Sequence, residues 1–306
     1  MALRFVLRRL LLLIPVLLGV TLLTFAIAQF TPGDPVVLML GNSATPERVA
    51  QVRAELGLDD PLIVQYFRYL GRAMLGDLGV SFRSKRPVLE EILERLPSTL
   101  ELALGALSVS VLIGIPLGLI AAATRRRWLG KSLMSVTLLG MSIPNFWLAV
   151  MALIVFGVNL RWVSVTNGDN LPSLLLASLC LGLGEAAILA RLTYTAVREA
   201  LMADYVRTAY AKGLARANVL WRHALPNALI PIMTQIGLQF GSLIGGSLFI
   251  EAVFSRAGLG RYVISAINAR DLPQIQGMVL FAAVIYVLVN LLVDLAYAWV
   301  DPRLRT

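Results

Sequence analysis

Long uncharged apolar runs dominate this chain. Six of them, residues 10–30, 102–124, 133–158, 171–190, 229–250 and 275–300, approach or exceed the length needed to span a bilayer; a helix needs about 20 residues to cross roughly 30 Å of hydrocarbon. Single acids, Glu185 and Asp294, interrupt two of the runs. The apolar residues are continuous rather than alternating, which favours helices over a membrane β-barrel built from strands of about ten residues. The pattern predicts an all-α polytopic membrane protein with six transmembrane helices.

The polar stretch 31–98 separates the first run from the second. Thr31-Pro32-Gly33-Asp34-Pro35 stops the first helix and forces a turn. A helix is expected from Pro46 to Leu56, with Thr45 as its N-cap and Pro46 at its first position. Residues 63–74 form an aromatic and basic segment, and 88–96 an amphipathic one with Glu90, Glu91 and Glu94 on its polar face. The stretch is too short and polar for a core of its own, so it reads as a mostly helical surface lying on the membrane. The expected organisation is 1–30 as N-terminal segment and first span, 31–98 as this surface, 99–300 as a five-span core, and 301–306 as a tail.

Small residues recur every fourth position on two spans: Ala106, Ser110, Gly114, Gly118 and Ala122 on the second, Gly237, Gly241 and Gly245 on the fifth. Such stripes let helix backbones approach closely in lipid. They serve packing within the chain, or a helix that lines a translocation path against a partner, for which Gly241 and Gly245 are the candidates. Pro15, Pro116, Pro144 and Pro231 mark kinks or interruptions. Pro144 lies in Ser142-Ile143-Pro144-Asn145, where Asn145 either packs internally or borders an aqueous path.

Composition agrees with the pattern and adds a direction. The 306 residues are 58% apolar and 15% charged, with mean hydropathy +0.78 and net charge +9. A basic excess suits nucleic acid, but its placement argues otherwise. With a cytoplasmic N-terminus, the inner segments carry Arg4, Arg8, Arg9, Arg125, Arg126, Arg127, Lys131, Arg191, Arg198, Arg207, Lys212, Arg216, Arg222, Arg303 and Arg305, while the short outer loops hold Arg161, Arg256, Arg261 and Arg270. Short loops rich in Lys and Arg stay inside. Both termini are therefore expected in the cytoplasm, with anionic lipid as a partner and no nucleic acid. Ala26-Ile27-Ala28 resembles a signal-peptidase site, but the apolar run before it exceeds the usual h-region, so the segment is expected to stay as a span. One Cys and one His exclude a disulfide framework and a thiolate or His-rich metal site.

The most informative segment joins the fourth and fifth spans. From Glu199 to Pro226 it reads as a helix ending near Lys212, Gly213 at the position after the cap, a second short helix, and a proline that breaks it before the membrane is re-entered. Leu201, Tyr205 and Thr208 share a face, and the unit suits docking into a groove on another protein. Here the sequence resembles the EAA loop of ABC importer permeases, with Arg207-Thr208-Ala209 at the opening triplet, the glycine at Gly213 and the closing Leu225-Pro226. Arg207 and His223 depart from the general pattern but fit the dipeptide/oligopeptide/nickel branch, whose loops look like Asp-Tyr-Val-Arg-Thr-Ala-Arg-Ala-Lys-Gly. That resemblance runs nearly the whole chain: Pro32-Gly33-Asp34-Pro35, Glu55-Leu56-Gly57-Leu58, Gly76-Asp77-Leu78-Gly79, Thr99-Leu100-Glu101-Leu102, Gly258-Leu259-Gly260-Arg261, Arg270-Asp271 with Pro273, and Asp301-Pro302-Arg303. It looks most like the B-type subunit of dipeptide and glutathione importers.

The resemblance implies a type I ABC importer permease in a bacterial inner membrane. It implies a second homologous permease, two ABC ATPase subunits docking at the loops within 193–228, and a periplasmic solute-binding protein. It places the coupling contact at Tyr205, Arg207, Thr208, Ala209, Lys212, Gly213, Leu225 and Pro226. The sequence holds no GxxxxGK[ST] phosphate loop, so the chain is not expected to be an enzyme, and ATP and Mg belong to the partners. The expected cargo is a di- or oligopeptide or a glutathione-like peptide; nickel or a metal chelate is the alternative within the family.

Acids at the spans have their own readings, since intramembrane carboxylates are costly. Glu101 and Glu251 are expected near the outer interface, in reach of water or a basic residue, and Asp294 within the bundle. Glu185 either faces the path and favours substrates with an amino group, or is neutralised or paired internally. His223 reads as a surface contact and Cys180 as a small buried apolar residue. A proton-coupled secondary transporter would also carry buried acids, but the sequence lacks an internal repeat. A membrane enzyme would need a reactive cluster that the sequence does not display.

Overall fold

The computed structural model describes residues 2–30, 34–41 and 44–300. The expected Thr31-Pro32-Gly33 turn and the tail 301–306 lie outside them, as do the side chains of Arg4, Arg8, Arg9 and Asp294. The order is α1 (Ala2–Phe30), α2 (Pro35–Leu40), α3 (Pro46–Leu56), α4 (Leu62–Met74), α5 (Val88–Ala123), α6 (Arg127–Ser142), α7 (Asn145–Ala152), a π stretch (Leu153–Asn159), α8 (Leu171–Met202), α9 (Asp204–Ala211), α10 (Arg216–Val219), a second π stretch (Leu220–Ala224), α11 (Leu225–Val253), α12 (Leu259–Ala269) and α13 (Leu272–Val300). Among the described residues, four helices are long and apolar enough to cross a membrane, and a bent pair brings the number to five at most. In α1 the apolar stretch Ile14–Ile27 is shorter than that.

Local chemistry explains the ends that the sequence foretold. Asp34 caps α2 by accepting from the Val36 amide at 2.9 Å, and Thr45 caps α3 by accepting from Arg48 at 3.3 Å. Gly57 ends α3 in the left-handed conformation.

Two expectations are corrected. Residues 88–96 are not a separate surface helix: α5 runs unbroken through Pro97, because packing on both sides of the proline outweighs the amide bond it removes. Glu91 is buried rather than part of an exposed acidic face. The third predicted span is interrupted at Pro144, as the sequence indicated: Trp128–Ser142 and Asn145–Asn159 meet at 87°. Ile143, forced out of the helical region by Pro144, is extended and makes the break.

The chain divides into two compact units. One comprises Leu3–Pro97 and Gly258–Val287, the other Ser98–Ala257 with the chain ends. In the first, Val88 and Ile92 pack on Leu259, Tyr262 and Met278. Beside this core lies a buried polar network. Glu91 accepts from Tyr262 and from Gln274, each at 2.9 Å; Gln274 also donates to Ser81, whose hydroxyl donates to Asp271 at 2.7 Å. Burial first, then the bond to Glu91, pushes the Tyr262 phenol well above its ordinary range. The Tyr66 and Tyr69 hydroxyls meet Thr21 and Thr24 of α1 at 3.0 and 3.1 Å, which seats α4 on the first helix.

In the second unit the core runs between α5, α7, α8 and α11, from Leu102, Ala177 and Leu243 to Ala122, Val197 and Ile232. The α5 stripe packs within the chain. A Cβ on Gly114 would lie 2.7 Å from the Ala186 carbonyl, and one on Gly118 2.3 Å from that of Ala190. Glycine on α8 answers in kind, since a Cβ on Gly182 would come within 2.5 Å of the Ala106 carbonyl. Backbones this close gain dispersion that a bulkier residue would forbid.

Candidate functional site

The loop between α8 and α11 folds as two short helices on a small core of its own. Val206 and Ala209 of α9 pack against Val219 of α10, all buried. Lys212 ends α9, and Gly213 follows at φ 81°, the left-handed region open to glycine. The Gly213 amide donates to the Tyr210 carbonyl at 2.9 Å and that of Leu214 to Ala209 at 3.3 Å, which satisfies the last carbonyls of α9. A Cβ at Gly213 would meet nothing within 4 Å, so conformation alone selects glycine there.

The sequence-predicted residues divide by role. Tyr205, Arg207, Thr208, Lys212, Gly213 and Pro226 are exposed, whereas Ala209 is buried and Leu225 half-buried in the cluster with Ala122 and Ile232. Exposed Met202, Tyr205, Tyr210, Leu214 and Trp221 give the loop an apolar and aromatic outer surface. Arg207 reaches Asp204 at 3.7 Å with both side chains in solvent, a weak pair. The Thr208 hydroxyl turns back to the Asp204 carbonyl at 3.1 Å, and the His223 carbonyl accepts from Asn227 at 2.8 Å.

Pro226 does not break the helix before the membrane, contrary to expectation. It sits in the first turn of α11, which continues the π stretch Leu220–Ala224. The wider turns move away the carbonyl that the proline ring would strike. Arg216, read from the sequence only as one more inner charge, instead donates from Nη2 to the Ala123 carbonyl at 2.7 Å, capping the end of α5.

The path candidates fall in the same unit. Glu185 is half-buried on α8. Gln239, buried and missed by the sequence reading, donates to the Glu185 carbonyl at 2.9 Å and accepts from the Ser110 hydroxyl at 2.9 Å. Asn145, half-buried, lies against Gly184, where a Cβ would come 2.8 Å from its Oδ1. Gly241 is buried, while Gly245 is exposed with open space around it.

At the far end of α11, Glu251 is fully buried and accepts from Thr99 at 2.6 Å. Glu101 is exposed and meets Arg256 at 3.2 Å. Arg256, itself buried, donates to the Gly168 carbonyl at 2.8 Å and to Ser98 at 3.1 Å.

Comparison with known proteins places this geometry. Residues 114–306 match the family described as binding-protein-dependent transport system inner membrane component, and residues 2–103 match its N-terminal companion. Similar proteins include a dipeptide transport system permease protein of Alkalihalophilus pseudofirmus, 40% identical over 99% of both chains. A putative peptide transport system permease protein of Brucella abortus is 44% identical over 98% of both. A glutathione transport system permease protein of Salmonella paratyphi A is 42% identical over 99% of both. Among solved structures, an inward-facing MetNI methionine ABC transporter chain has the same fold, with TM-score 0.59 at 21% identity over 69% of this chain and 96% of that one.

Proposed function

This chain belongs to the family of binding-protein-dependent transport system inner membrane components, and from that membership and the loop's geometry we propose that it is the peptide-translocating subunit of an ATP-driven importer. The observation that carries the reading is the Gly213-centred loop. It is a two-helix unit with its own core, an exposed aromatic surface and a direct continuation into α11. Such a unit moves as one piece, which suits a part that receives force from another protein.

In this reading six helices span a bacterial inner membrane, α6 and α7 together forming the bent third span, and both termini face the cytoplasm. A second homologous permease completes the path, two ATPase subunits dock at the two loops, and a periplasmic solute-binding protein delivers cargo. ATP and Mg are bound by the ATPases; this chain holds no cofactor and catalyses no reaction. The dipeptide, peptide and glutathione names of its relatives support a peptide over nickel or a metal chelate. Glu185, with Gln239 and Asn145 nearby, is the candidate contact for a substrate amino group, and Gly245 offers open space for the partner permease.

The test is hydrolysis by the assembled complex. ATP turnover should require this chain and rise when peptide-loaded binding protein is added; turnover indifferent to both would contradict the proposal.

A further inference from the structure

We propose that Arg216 is a positioning residue that fastens the cytoplasmic loop to the inner end of α5, so that movement of the loop is delivered to that helix as well as to α11. The inference rests on the loop being the surface where the ATPases act. Arg216 is the first residue of α10, and its Nη2 lies 2.7 Å from the carbonyl of Ala123, the last residue of α5 and far away in sequence. The last carbonyls of a helix have no partner within it and carry the negative end of its dipole, so a guanidinium there meets both needs. Arg207, Lys212 and Arg222 of the same loop are exposed, whereas Arg216 is half-buried. The sequence offers four loop cations, and the fold commits this one to an internal contact.

Both sides of the link are stiff. Val219 holds α10 to Val206 and Ala209 of α9, so a push on α9 passes to α10 through packed side chains. Leu220 and Leu225 lie in the cluster with Ala122, one residue from the accepting carbonyl. At its other end within the same unit, α5 is held by Thr99 to Glu251 and by Ser98 to Arg256. Gly114 and Gly118 keep it against α8 between these points. Gripped at both ends, α5 transmits a displacement of the loop along its length. A charge-assisted hydrogen bond is enough to bias such a two-state linkage by about tenfold.

The experiment uses the assembled transporter in proteoliposomes with a labelled dipeptide as probe, and reads peptide imported per ATP hydrolysed. For Arg216→Gln the ratio should fall about tenfold, with ATPase subunits still bound and basal hydrolysis within about twofold of wild type. Arg216→Lys, which keeps a donor, should recover most of the loss. A wild-type ratio in Arg216→Gln, or equal loss in the Lys and Gln variants, would overturn the inference. Wild-type complex without peptide-stimulated hydrolysis would overturn the docking reading on which it rests. Thr124→Cys, beside the acceptor, probes the link with Arg216 in place should the Gln variant not assemble. Its labelling by a water-soluble maleimide should differ at least about twofold between nucleotide-free and ATP-bound complex; equal labelling would overturn the inference.

Discussion

Two residues show how the same chemistry, a buried polar group, reads differently from sequence and from structure. Glu185 stands out in the sequence because a carboxylate in an apolar run is expensive. Its neighbour Gln239 does not stand out, although it is the buried hub that joins α8, α11 and Ser110 of α5. An uncharged amide in an apolar helix is too ordinary a signal to single out before its partners are known. If Glu185 contacts the amino group of cargo, Glu185→Gln should weaken competition by peptides with a free amino group about tenfold while leaving N-acetylated ones nearly unchanged, as loss of one charged contact implies. Competition assays in proteoliposomes would show this; equal effects on both classes would assign Glu185 to packing.

Tyr262 gives a pH prediction at the same scale. Its phenol is raised above 10.0 by burial and by Glu91, so its stabilising effect is fully present below that value and fades as pH rises beyond it. Thermal unfolding of the detergent-solubilised protein should therefore weaken above about pH 10, and Tyr262→Phe should flatten part of that decline. An identical profile for both proteins would contradict the buried assignment.

Helices and caps were legible where local chemistry decides them. Thr45 before Pro46 and Gly213 after Lys212 each mark an end that the fold places where the sequence put it. The errors came where long-range packing decides. Residues 88–96 looked like a surface segment of their own, yet α5 continues through Pro97. Pro144 marked a kink or an interruption, and the structure decides for an 87° break. The glycine stripes were visible too, but not which of them would be used inside the chain. The structure separates them: a Cβ at Gly118 would come 2.3 Å from the Ala190 carbonyl, and one at Gly245 would meet nothing within 4 Å. Gly118→Ala should therefore lower stability by about 1–3 kcal/mol through overpacking, and Gly245→Ala should leave folding unchanged. Thermal melts of the two variants would decide; equal melts would contradict the close approach of α5 and α8.

For the whole molecule, part of the basic excess that opened the possibility of nucleic acid is placed in one loop. Arg216 caps α5, Arg207 pairs weakly with Asp204, and Lys212 and Arg222 face outward beside the exposed aromatics. The central claim is that work enters this chain through that loop. It is tested most directly by dipeptide uptake into proteoliposomes carrying the chain with and without its ATPase partners. Uptake should need the partners and ATP, and Gly213→Val, which places a β-branched residue at φ 81°, should cut it at least about tenfold while hydrolysis continues. Uptake by the chain alone under a proton gradient, or normal uptake by the Gly213→Val complex, would contradict the account.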